Sequence, residues 1–83
     1  MNPLPTLLRE GPYRFFFYSN EGDPRESPHV HVTAGERVAK FWLDPVELAS
    51  SKRLRSGEIA DLRSVVDGHR KEFLEAWHAH FDT

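Results

Sequence analysis

His29-Val30-His31-Val32-Thr33-Ala34-Gly35-Glu36-Arg37-Val38-Ala39-Lys40-Phe41-Trp42-Leu43 decides the fold. The residues before Ala34 alternate strictly, as side chains on a strand with one buried face must. After the short break Ala34-Gly35-Glu36, Arg37 to Leu43 is rich in β-favouring residues, so the two runs read as an antiparallel hairpin.

Working outward, Tyr13-Arg14-Phe15-Phe16-Phe17-Tyr18 lies between the breakers Gly11-Pro12 and Asn20-Glu21-Gly22 and reads as a further strand. A weaker strand covers Thr6-Leu7-Leu8-Arg9. Asn20 to Pro28 is longer than an ordinary hairpin connection. On the C-terminal side, Asp44-Pro45-Val46-Glu47 carries an acid, a proline and a glutamate in the order of a helix start, which predicts a short helical turn ending by Ser50. Ser56 opens a longer segment in which Ile59, Leu62, Val66, His69, Phe73, Trp77 and His80 or Phe81 recur at helical spacing. Gly68 interrupts it at a cost of about 1 kcal/mol relative to alanine, which leaves one bent helix or two. The fold class is α+β: a small antiparallel sheet of three to four strands packed on one face by a C-terminal helix, bent or split near Gly68.

Eighty-three residues, with 39% hydrophobic side chains, support one modest core and a single domain over residues 1–83. The 11 Lys+Arg against 13 Asp+Glu argue against a strongly basic nucleic-acid binder. Without cysteine there is no disulfide framework, thiolate metal site or thiol nucleophile. No apolar run reaches a membrane span, and Met1-Asn2-Pro3-Leu4-Pro5 does not read as a signal peptide, so the expectation is a cytoplasmic protein without membrane contact.

Alternation sorts the sheet into two faces. Tyr13, Phe15, Phe17, Val30, Val32, Ala39, Phe41 and Leu43 form the core face, to be covered by Phe73 and Trp77. The opposite face carries Arg14, Phe16, Tyr18, His29, His31, Lys40, Trp42 and Asp44. So many aromatics on a solvated face point to a binding surface with Phe16, Tyr18 and Trp42 as anchors. The alternative is that the Asn20–Pro28 loop or a second copy of the chain covers them.

His29 and His31, at i and i+2, stand on one side of a strand with Cα atoms roughly 6 to 7 Å apart. Three roles suit such a pair. It can be purely structural. It can act as general acid and base on an RNA phosphate, with Arg14 or Lys40 offsetting the developing charge. It can bind a metal with Asp44, or an acid of the Glu21, Asp23, Glu26 loop, as third ligand, although the expectation is no cofactor. His69 and His80 fall on the helix's apolar stripe and read as packing residues, and Lys52-Arg53-Leu54-Arg55 reads as a solvated basic loop.

The order Gly11 to Glu21, then Pro28-His29-Val30-His31-Val32, then Ala39-Lys40-Phe41-Trp42-Leu43-Asp44-Pro45-Val46, with a tryptophan near the closing helix's end, resembles the small bacterial family called domain of unknown function 4160. The likeness extends over essentially the whole chain apart from Asn2-Pro3-Leu4-Pro5. It implies no settled activity. It does imply a gene neighbour of a second small family, domain of unknown function 2442, in an arrangement like a toxin–antitoxin module. The expected partner is therefore a small protein of that kind or a second copy of the chain, with RNA as the substrate in the enzymatic version.

Overall fold

The computed structural model describes residues 4–19 and 26–81. Among these, strands β1 (Leu8–Glu10), β2 (Tyr13–Phe16), β3 (His29–Ala34), β4 (Arg37–Leu43) and β5 (Val46–Lys52) precede helices α1 (Ser56–Gly68) and α2 (Arg70–Phe81). The strands lie side by side in chain order, every neighbour antiparallel.

Three of the four connections have two residues. Glu10 pairs Tyr13 across Gly11-Pro12, Ala34 pairs Arg37 across Gly35-Glu36, and Leu43 pairs Val46 across Asp44-Pro45. Gly11 and Gly35 take φ of 57° and 61°, which tight hairpin turns require and side chains resist. The segment from Phe17 to Pro28 is the long exception, and most of the Asn20–Pro28 loop singled out above lies outside the described residues.

Two expectations are corrected. The predicted sheet of three to four strands has five, because Val46–Lys52 is a strand and not a helical turn. The proline that suits a helix start also suits a two-residue turn, and pairing with β4 from Val46 to Lys52 outweighs the local signal. A register shift between Lys40 and Phe41 accommodates one extra residue on β5. The C-terminal helix, in turn, is two helices. Their break falls at His69 (φ −110°, ψ 12°), directly after Gly68, where propensity is weakest. The ring of His69 stacks on Phe73 at 5.8 Å, and its Nδ1 lies 3.4 Å from Glu72.

The core face matches its sequence reading. Phe15, Phe17, Val30, Val32, Ala39, Phe41 and Leu43 are buried against Leu62, Val66, Phe73 and Trp77 of the helices. Tyr13 is half-buried at its rim. Its hydroxyl donates to Glu58 Oε2 (3.0 Å), which also accepts from Arg37 Nη1 (3.0 Å), while the Arg55 backbone N–H donates to Glu58 Oε1 (3.0 Å). One carboxylate thereby joins β2, β4 and the first turn of α1. Three donors on one carboxylate, led by the Arg55 amide and followed by Tyr13 and Arg37, hold Glu58 below the ordinary carboxylate pKa.

A lowered acid pKa contributes stability above the pKa of the unfolded state and loses it as pH falls through the folded value. The wild type is therefore expected to be more stable than Glu58→Gln at neutral pH. That difference should hold down to about pH 5 and shrink on further acidification, as followed by urea unfolding across pH. A difference independent of pH would show that Glu58 acts through packing alone.

Candidate functional site

The helices cover one face of the sheet and leave the other to solvent. Register places the side chains on that open face in rows across the strands. One row runs Arg9, Arg14, Thr33, Val38, Lys52, and the next runs Phe16, His31, Lys40, Ser50. His29, Trp42 and Glu47 form a third.

The aromatic cluster expected here exists, and its geometry is denser than alternation alone implies. Phe16 is 3% exposed, so it is a buried member of the cluster and not the surface anchor expected. The Arg14 guanidinium lies over its face at 4.3 Å, Tyr18 meets it edge-on at 5.0 Å, and His31 stacks beside it at 5.8 Å. Tyr18 and His31 also touch each other, with ring centroids 4.6 Å apart, and both are partly exposed. Farther along the face, Lys40 Nζ stands 4.5 Å from the Trp42 ring centroid and 3.5 Å from Glu26 Oε1. Placing a cation over a π-face in this way is favourable by about 0.5 to 2 kcal/mol.

The two histidines separate in character. His31 is partly exposed within the cluster, whereas His29 is fully buried. The His29 ring sits between three others: His31 at 5.1 Å, Trp42 at 5.5 Å and Trp77 of α2 at 4.9 Å. Its Nδ1 lies 2.8 Å from the Ser27 carbonyl oxygen. Alternation put His29 on the open face, but its place at the start of β3, beside the end of α2, lets the helix close over it. An acid–base pair needs both imidazoles at the substrate, and the exposure of this pair does not provide that.

Asp44 departs from the histidine face altogether. Its carboxylate accepts from Arg70 Nη2 of α2 at 2.6 Å, while Arg70 Nε donates to the Leu43 carbonyl at 2.7 Å. The β4–β5 turn thus presents Asp44 to the helices. Among the described residues no group of three or more His, Asp or Glu side chains is placed to hold a metal ion.

Reading a helical turn that starts at Asp44 and ends by Ser50, and a loop from Lys52, hid part of the face. Ser50 and Lys52 of β5 line one shallow cavity of about 380 Å³ with Tyr18, His31, Val38 and Lys40. A second, of about 180 Å³, lies between Arg14, Phe16, Tyr18, His31, Thr33 and Val38. Val38, 40% exposed, stands between the two. Its open-face position follows from the same alternation that places Lys40 and Trp42. The usable signal for β5 was the Asp44-Pro45 pair directly after a strand, which is as good a hairpin turn as a helix start.

This geometry separates the histidines experimentally. Acylation by diethylpyrocarbonate, located by mass spectrometry, is expected at His31 and not at His29. His29→Ala should lose about 2 kcal/mol or more through a cavity and an orphaned carbonyl, and His31→Ala less than half of that. Equal modification of the two would contradict the burial of His29.

No helix among the described residues is long and apolar enough to cross a membrane. Comparison with curated proteins and with solved structures finds no match. A family model described as domain of unknown function (DUF4160) matches residues 13–78, from the first residue of β2 to within three residues of the end of α2. With most of the chain matched, open face and helical cover included, the protein belongs to the DUF4160 family.

Proposed function

We propose that this is an interaction module, residues 1–83 acting as one unit, that holds a small protein partner on the open sheet face around Tyr18, His31 and Trp42. The observation that carries this reading is the one-sided cover of the sheet. Both helices pack on the Phe15–Phe41 face, and the opposite face keeps partly exposed aromatic side chains beside two shallow cavities. Aromatic clusters rimmed by cations are what protein interfaces use as anchors.

The cavities suit this use better than enclosing a small substrate. They are shallow and share the wall formed by Tyr18, His31 and Val38. A buried His29 leaves His31 without a second accessible imidazole in the pair, which weighs against the ribonuclease reading. The family resemblance supplies the candidate: a protein of the domain of unknown function 2442 kind, in a two-gene module of the toxin–antitoxin type.

Co-expression with such a protein, followed by calorimetric titration, tests the proposal. Trp42→Glu, on the solvated side of the sheet, should remain folded and weaken the complex by about 2 kcal/mol or more, roughly thirtyfold. Unchanged affinity in a folded variant would refute the role of this face. If the partner does not bind while the free chain dimerises through the same residues, the occupant is a second copy.

A further inference from the structure

Four of the ten described lysines and arginines make ion pairs among the described residues. Arg37 pairs with Glu58, Lys40 with Glu26, Arg53 with Glu36 and Arg70 with Asp44. The other six, Arg9, Arg14, Lys52, Arg55, Arg63 and Lys71, make none with a described residue, and register places the first three in the single open-face row that crosses the five strands. At about 4.8 Å per strand, that row runs roughly 19 Å from Arg9 to Lys52. Arg14 and Arg9 are direct cross-strand neighbours. Two like charges held opposite one another cost stability unless an anion offsets them.

Arg14 is the most exacting of the three. Its guanidinium lies over the Phe16 ring, and its Nε is buried without a hydrogen-bond partner among the described residues. A cation so stripped of water gains more from an anion than a fully hydrated one does, because part of its desolvation has already occurred. It lines the smaller cavity together with Thr33, a hydroxyl donor, and His31.

Ring geometry decides which anion fits. A single-stranded nucleic acid binds by stacking bases on open aromatic faces while cations follow its phosphates. Here Arg14 covers Phe16, Lys40 lies over Trp42, and Tyr18 and His31 turn their rings against each other. The face thus presents cations backed by rings instead of bare rings. Carboxylates on a protein chain need neither stacking nor a strongly basic surface.

We infer that the open face recognises an acidic segment of the partner, its carboxylates lying along the Arg9–Arg14–Lys52 row with one of them seated on the Arg14 guanidinium beside Thr33. This rests on the partner-binding reading above and supplies the partner's chemistry. Lys40 and Trp42 lie outside the row, so the two claims fail separately.

The test is a nuclear magnetic resonance titration of the full chain with synthetic decaglutamate and, separately, with decauridylate, following the Arg14 Nε–H resonance and the amides of β1, β2 and β5. Decaglutamate is expected to shift Arg14 Nε–H together with the signals of Arg9 and Lys52, several-fold less tightly at about 200 mM salt than at about 50 mM. Arg14→Lys keeps the charge and the aliphatic stem but loses the planar fork, and it should weaken binding about tenfold. Arg14 signals that stay still under decaglutamate, or an Arg14→Lys variant that binds as tightly as wild type, would overturn the inference while leaving the Trp42 result intact. Decauridylate shifting the same signals at lower concentration than decaglutamate would also overturn it, in favour of a nucleic-acid site. If decaglutamate binds along the row while Trp42→Glu leaves the partner complex unchanged, the acidic-segment site stands and the partner reading fails.

Discussion

The packing of Trp77 is the contact on which the arrangement turns. Its indole is 1% exposed and meets Phe17 edge-on at 5.2 Å, Phe81 at 4.4 Å and the His29 ring at 4.9 Å. Its contacts with Phe17 and His29 anchor α2 at the end of the sheet where β2 gives out and β3 begins. Fully burying large apolar side chains contributes about 1.5 to 3 kcal/mol each, a large share of the stability of a domain this size. With α2 seated there and α1 packed against β4 and β5, both helices are committed to one face. The other face is left open as a direct consequence.

The same contact assigns the histidines their roles. His29 is drawn into the packing beneath α2, and His31, one step along the strand on the same side, remains at the surface with Tyr18. A His-x-His pair on a strand therefore need not be a site. Here the first imidazole belongs to the junction between sheet and helix, and the second to the cluster on the open face. The chemistry of that face is set by cations lying on rings: Arg14 over Phe16 and Lys40 over Trp42. Rings hold the cations in place, and the cations, in turn, govern which charge is welcome.

Much of this was legible in the residues. Strict alternation in His29–Thr33 located the central hairpin and its two faces, and helical spacing from Ile59 to Trp77 identified the elements that cover the core. The missing part came from signals with two meanings. Asp44-Pro45-Val46-Glu47 starts a helix as well as it turns a hairpin, and only β4, which supplies a pairing edge, decides between them. Gly68 announced a weak point but not whether the chain would bend or break. The burial of His29 depends on Trp77, distant in sequence, and that of Phe16 on Arg14, Tyr18 and His31 closing around its ring, neither of which follows from period 2 within one strand. For Asp44, the salt bridge to Arg70 across 26 residues redirects a carboxylate that alternation placed with the histidines.

Two tryptophans make the central claim directly measurable without altering the chain. Trp42 is partly exposed on the open face, and Trp77 is buried beneath α2. Acrylamide quenching of the free protein should resolve one accessible and one protected fluorophore. On saturation with the co-expressed partner, the accessible component is expected to disappear while Trp77 emission is unchanged. A complex that forms with Trp42 still fully quenchable would place the partner elsewhere and contradict the account.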